Sequence, residues 1–299
     1  MESFSRGWSF LKQAWQMAGK DRDLIKPSIM ALFAGFALSI VFIPLMVGAG
    51  FLTGGENSLI GQVALFVVGA VMIFVQYTVG YIFSAMTVYL IYGYLAEGDG
   101  VMSKAGAVVK RDFLDLMSLA AASTAVSLVR NAVRGKGRSG GRNMLAGLID
   151  TVWTEAAFLI LPAMVIEDIN LKDALKRVGT IIKNNLLLVG ISTVGVKAVN
   201  GLIGFLLGIT GIGLGLGIGY GIIAVTGVEN VIGLVGGIGL GVLVASVFIM
   251  VATVITSYTA TAYHTCLYLW ARDVEKSRAA GSSAQVEAPA PLAAVLGPQ

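Results

Sequence analysis

Between Lys26 and Glu97 the chain carries one ionised side chain, Glu56, and between Asn185 and Ala271 it carries two, Lys197 and Glu229. A soluble fold cannot accommodate tracts so poor in charge, because its elements need a solvated face. Runs of 18 or more apolar residues are what a hydrocarbon core about 30 Å thick demands of a helix. The chain therefore reads as an integral membrane protein. With 56% hydrophobic and 13% charged residues over 299 positions, it has space for several spans and none for a large soluble catalytic domain. Its single cysteine, Cys266, excludes an intrachain disulfide and a cysteine-built metal site. Its single histidine, His264, leaves no cluster for a metal or a proton relay. No cofactor and no metal are expected.

The pattern predicts an all-α, polytopic bundle of about six transmembrane helices preceded by an amphipathic interfacial helix. Residues 1–26 form the cytoplasmic interfacial helix, 27–271 the six-helix transmembrane domain and 272–299 a disordered cytoplasmic tail rich in small residues and proline. Residues 1–26 lack an apolar core of the signal-peptide kind, so the first span is expected to act as its own insertion signal. That span runs from about 28 to 52 and ends at the turn signal Gly54-Gly55-Glu56-Asn57. Residues 58–96 then read as one helix of roughly 58 Å, because a single crossing keeps the cations of 1–26 and 104–111 on the same side. Residues 113–131 and 144–166 are read as spans, although this leaves the basic loop of Arg130, Arg134, Lys136, Arg138 and Arg142 on the outer face, against the positive-inside tendency. Asn170 and Asp173 open a short amphipathic helix through Lys183 as N-cap and N3 acid. Residues 186–220 and 231–270 supply the last spans. Both termini are then cytoplasmic in a prokaryotic inner membrane, and the net charge of +4 follows membrane orientation rather than nucleic-acid binding.

Near the N-terminus, Phe4, Trp8, Leu11 and Trp15 fall on one helical face, which suits interfacial anchors or, as the alternative, a juxtamembrane helix packed on other protein. Alternating glycines occupy residues 211–221. Gly211, Gly215 and Gly219 form one stripe and Gly213, Gly217 and Gly221 a second, nearly opposite, since two residues advance about 200°. Gly233, Gly237 and Gly241 give the next helix a small surface of its own. Without a preceding strand or polar surroundings, a phosphate loop is not indicated. Close helix packing is, and an unwound segment lining a transport path is the functional alternative.

Glu155 and Lys197 are the charges placed deepest in the apolar tracts. Counted from the expected membrane exits at Ile166 and Leu186, each lies about 16 Å deep, which suggests a buried ion pair. Asp150 and Asn200 are weaker extensions of the same polar path. His264 reads as a hydrogen-bonded interfacial residue. A nucleophile pair with Cys266 is discounted, because residues two apart on a helix point away from each other. On the cytoplasmic face, Lys104, Lys110, Arg111, Lys172, Lys176, Arg177 and Lys183 offer contacts to anionic lipid headgroups.

Four short segments are spread over most of residues 4–272. They are Gly7-Trp8-Ser-Phe-Leu-Lys12-Gln-Ala-Trp15 with Lys20-Asp21-Arg-Asp23, Leu161-Pro162-Ala-Met-Val-Ile-Glu167-Asp168, Asp173-Ala174-Leu175-Lys176-Arg177, and Ala262-Tyr263 to Leu267-Tyr268. Together they resemble an uncharacterised bacterial and archaeal family of six-helix integral membrane proteins, a domain of unknown function similar to the membrane domain attached to some glycerophosphodiester phosphodiesterases. The resemblance implies six helices and no enzymatic activity in the membrane domain, and it brings no catalytic residues. The expected function is non-enzymatic: a membrane-organising or scaffold subunit that associates with itself or a partner through glycine-mediated packing, in contact with membrane lipids. The alternative is a small transporter or channel using Glu155, Lys197 and the glycine-rich span.

Overall fold

The computed structural model describes residues 2–134, 140–227, 229–281 and 286–296. It is an all-α, polytopic helical bundle. The helices are α1 (Glu2–Lys20), α2 (Lys26–Thr53), α3 (Leu59–Glu97), α4 (Met102–Arg111), α5 (Phe113–Arg134), α6 (Gly140–Glu167), α7 (Leu171–Thr226), α8 (Val231–Ala279) and α9 (Ala290–Leu296). Six helical segments are long and apolar enough to cross a membrane: Arg22–Thr53, Leu59–Glu97, Phe113–Arg134, Asn143–Glu167, Val196–Thr226 and Val231–Ala279. The described chain divides into two compact units. One comprises Met1–Gln16, Leu187–Tyr263 and Ala290–Gln299, the other Met17–Leu186 and His264–Pro289.

In the larger unit α3 is the central element, packing on α2, α4, α5 and α6. It is one unbroken helix, as the charge placement predicts. Its first third, from Leu59 to Val71, exposes Leu59, Ile60, Val63, Phe66, Val67 and Val71 along one face, while Ala85, Thr87, Val88, Leu90 and Ile91 further along are buried. The same hydrophobicity is thus exposed at one end of the helix and buried in protein at the other. The protein core here combines these residues with Leu24, with Ala105, Val108 and Val109 of α4, with Leu116, Leu119 and Ala120 of α5, and with Leu159 to Val165 of α6. Asp21 fastens the entry. Its carboxylate accepts from the Asp23 N–H at 2.9 Å and the Gly100 N–H at 2.7 Å, capping the turn before α2. Gly100 must be glycine there, because a Cβ would come within 2.8 Å of the Asp21 carboxylate and 3.2 Å of the Leu90 carbonyl oxygen.

Three sequence expectations change. The helix opened by Asn170 does not end near Lys183. It runs on as the 56-residue α7, since nothing between Lys183 and Leu186 is a proline or a glycine cap. Its N-terminus is as predicted, with Asn170 Oδ1 accepting from the Asp173 N–H at 3.1 Å and Asn170 Nδ2 donating to Asp173 at 3.0 Å. Residues 272–279 continue α8, and 290–296 form a helix with Leu292 and Val295 buried. Both stretches depart from the structureless tail that composition predicts, and residues 282–285 and 297–299 lie outside the described residues. In the basic loop, Arg130 is held by Asp150 at 2.5 Å. This neutralises one of the cations that conflict with the positive-inside tendency, while Lys136 and Arg138 lie outside the described residues.

The smaller unit shows which face of α1 is used. Gly7, Phe10 and Ala14 are buried, a helical stripe of small residues around one phenyl ring. The Phe10 ring meets the edge of Tyr263 at 5.5 Å, the Tyr258 hydroxyl donates to the Ala14 carbonyl at 3.0 Å, and Trp15 Nε1 donates to Thr259 at 3.2 Å. Of the four expected anchors, Phe4 and Trp8 are exposed, Leu11 is half-buried and Trp15 is committed to α8.

Candidate functional site

The glycine stripes separate cleanly. Gly211, Gly215, Gly219, Gly233, Gly237 and Gly241 are buried, and Gly213, Gly217 and Gly221 are exposed. A Cβ built on Gly219 would lie 2.9 Å from the Gly237 carbonyl oxygen, and one on Gly241 would lie 2.5 Å from that of Gly215. α7 and α8 are therefore in backbone contact, an approach that only hydrogen side chains permit. On the second stripe a Cβ at Gly213, Gly217 or Gly221 meets nothing within 4 Å. Of the two nearly opposite stripes on α7, only Gly211, Gly215 and Gly219 therefore pack closely on another helix. The unwound alternative is not observed, because α7 is helical throughout 211–221.

The charge at position 155 has a partner that sequence reasoning missed. Glu155 Oε2 lies 3.2 Å from His264 Nε2, with His264 only 4% exposed. The Phe158 ring, one turn along α6, stacks on the imidazole at 4.6 Å and 12°. The carboxylate–imidazole pair therefore sits under an aromatic cover. Lys197 is exposed on α7 and belongs to the smaller unit, whereas Glu155 belongs to the larger. Asp150 is paired with Arg130 at 2.5 Å.

Nearby, Ser123 of α5 is a hydroxyl hub. It receives the Trp153 indole N–H at 3.0 Å and stands 2.7 Å from the Tyr81 hydroxyl. Tyr81 stacks on Tyr77. Beside these rings, a cleft between α3 and α6 is lined by Tyr77, Tyr81, Trp153 and Phe158.

A third constellation joins residues from α6, α7 and α8. Glu167 accepts from the Tyr268 hydroxyl at 2.6 Å and pairs with Arg177 at 3.3 Å, and Arg177 also pairs with Glu275. Burial works against the Arg177 charge, but the Glu167 and Glu275 carboxylates outweigh it and raise its pKa. Asp168, at the left-handed end of α6 (φ 55°), meets Arg111 at 3.2 Å. Arg111 also grips the buried Asp112 at 2.6 Å, and that hydrogen bond is the main reason its pKa is raised.

These pairings change the expected lipid patch. Lys104 is paired with Glu97 at 3.1 Å and Lys176 with Asp173 at 3.3 Å, while Arg111 and Arg177 are engaged as above. Lys110, Lys172 and Lys183 are exposed. No protein-family model matches the chain, and no curated protein matches it.

Proposed function

We propose that this chain is a non-enzymatic, membrane-organising protein of a prokaryotic inner membrane, with both termini cytoplasmic, that works by associating with further copies of itself. One observation carries the reading. α7 commits one glycine stripe to α8 and leaves the other, Gly213, Gly217 and Gly221, open along an apolar helix. In lipid, apolar side chains gain little by leaving acyl chains for protein. Close backbone approach at small residues is what makes helices associate. Three glycines in a row without a packing partner weaken a helix, each by roughly 1 kcal/mol relative to alanine. An oligomer contact along the stripe offsets that cost. Lys110, Lys172 and Lys183 would hold the assembly to anionic headgroups.

Native mass spectrometry in lipid-retaining micelles tests this. The unaltered protein is expected as a defined oligomer, and the triple replacement of Gly213, Gly217 and Gly221 by leucine as a monomer with an intact helical circular dichroism spectrum. A monomeric parent, or a triple variant that still assembles, would end the proposal.

The part-buried Glu155–His264 pair supports a second reading, a small transporter or channel that uses Glu155 and Lys197 to couple to a proton or ion. That reading expects flux in liposomes of the purified protein, lost in Glu155→Gln. Liposomes that stay tight with the parent chain rule it out.

A further inference from the structure

We propose that the cleft between α3 and α6 binds one lipid acyl chain, a property independent of self-association through α7. The cleft encloses about 200 Å³. Its walls run from Gln76 to Ser84 on α3 and from Trp153 to Leu161 on α6, each rising about 12 Å at 1.5 Å per residue. The space exists because of two small residues. Gly80 offers no side chain, and a Cβ there would meet nothing within 4 Å. Ala157, on the other wall, offers only a methyl group.

The chemistry of the lining selects the occupant. No charged side chain borders the cleft, and its polar members Gln76, Ser84 and Thr154 are neutral. A phosphate, a carboxylate or a metal ion would find no counter-charge, and burying one unpaired is prohibitive. A neutral apolar body is favoured by Tyr77, Tyr81, Trp153 and Phe158, whose rings present wide contact surfaces. An apolar cavity of about 150 Å³ accepts a benzene ring, so the volume is sufficient. The shape is long rather than round: 12 Å matches roughly nine or ten extended chain carbons at a C–C bond of about 1.5 Å.

Depth points the same way. Counting back from the Gly54–Asn57 turn at about 1.5 Å per residue puts Lys26, the charged start of α2, about level with Met86 on α3. The cleft therefore starts just inside the boundary that Lys26 marks and extends from Ser84 towards Gln76 into the apolar span, at a depth where acyl chains are the abundant neutral molecules. Phe158 joins the cleft to its surroundings, for it lines the cleft and its ring stacks on His264. A bound chain packs against the ring that covers the Glu155–His264 pair.

The test is photolabelling of the full chain in detergent micelles. One arm uses palmitic acid carrying a mid-chain diazirine, the other a phosphatidylcholine carrying the same chain. Labelling is expected to saturate at one chain per protein, to map to residues 76–84 and 153–161, and to be displaced by the unlabelled compound. Gly80→Leu and Ala157→Leu, which fill the cleft from either wall, should each weaken labelling about tenfold. That change corresponds to about 1.4 kcal/mol, roughly the burial of two methylenes. Saturation with phosphatidylcholine alone identifies a bilayer lipid as the occupant, and saturation with palmitic acid alone a free fatty acid. Either upholds the site. Labelling that fails to saturate and spreads along α2 and α7 overturns it, and so does unchanged labelling in both folded variants. Saturation and displacement are read on the unaltered chain, so the site stands or falls on them even where a variant fails to fold.

Discussion

Replacing Gly241 by leucine is expected to drive α8 off α7, whereas the same replacement at Gly217 leaves the helix pair intact. The first Cβ at position 241 would sit 2.5 Å from the Gly215 carbonyl oxygen, 3.3 Å from its carbonyl carbon and 3.6 Å from the Gly219 Cα. These are backbone atoms of a hydrogen-bonded helix, so no side-chain rotation relieves the clash and the helix axes must separate. Separation also undoes the contacts on either side, at Gly219 against Gly237 and at Gly211 against Phe248. Adding single methylenes to a well-packed core already costs about 1–3 kcal/mol. A whole leucine against backbone therefore places the loss at about 3 kcal/mol or more, and lipid supplies no hydrophobic force to press the helices together again. At about 2–4 °C per kcal/mol for a chain in this size range, thermal unfolding in detergent should fall by roughly 6–12 °C. Gly217 is the internal control, since a Cβ there meets nothing within 4 Å and leucine is the better helix former. Its variant should melt at the parent temperature or slightly above when the protein is held monomeric. Equal destabilisation by the two replacements would contradict the packing described for α7 and α8.

The long spans are legible in the sequence because a charge-free tract is a statement about solvent, and solvent is decided by composition. Which side of each span meets protein is harder to read, and α1 shows why. Phe4, Trp8, Leu11 and Trp15 share one face that reads as suited to lipid. The face that docks carries Gly7, Phe10 and Ala14, chosen by close approach rather than by hydrophobicity. The same rule decides between the glycine stripes, which are indistinguishable in sequence until a neighbour is present. Glu155 shows a different limit. Counting from the expected membrane exits at Ile166 and Leu186 matches its depth to that of Lys197, but depth alone does not reveal a neighbour on a third helix. Its observed neighbour, His264, is 109 positions away on a 49-residue helix whose ends reveal nothing about depth. The short polar segments are visible one at a time, yet the convergence of Glu167, Arg177, Tyr268 and Glu275 is a property of three helices packed together, not of any one segment.

That convergence makes Arg177 the position where a single lost charge should cost most. Arg177 bridges Glu167 at the end of α6 and Glu275 near the end of α8, with the three side chains 27%, 24% and 16% exposed. Glu167 also accepts from the Tyr268 hydroxyl. Arg177→Met keeps most of the side-chain volume but removes the guanidinium, leaving two carboxylates close together with no cation between them. Breaking a fully buried pair from one side costs about 3–5 kcal/mol, and the partial exposure here brings the expectation to about 2–3 kcal/mol after solvent screening. Most of that figure is the penalty on the abandoned carboxylates rather than the worth of the bridge. The combined variant Arg177→Met, Glu167→Gln and Glu275→Gln should therefore recover to within about 1 kcal/mol of the parent, since it removes the uncompensated charge along with its partner. Thermal unfolding of the single and triple variants separates the two contributions. A triple variant no more stable than Arg177→Met alone would mean that the guanidinium acts through packing of its stem, and the electrostatic account of how α6, α7 and α8 are joined would be wrong.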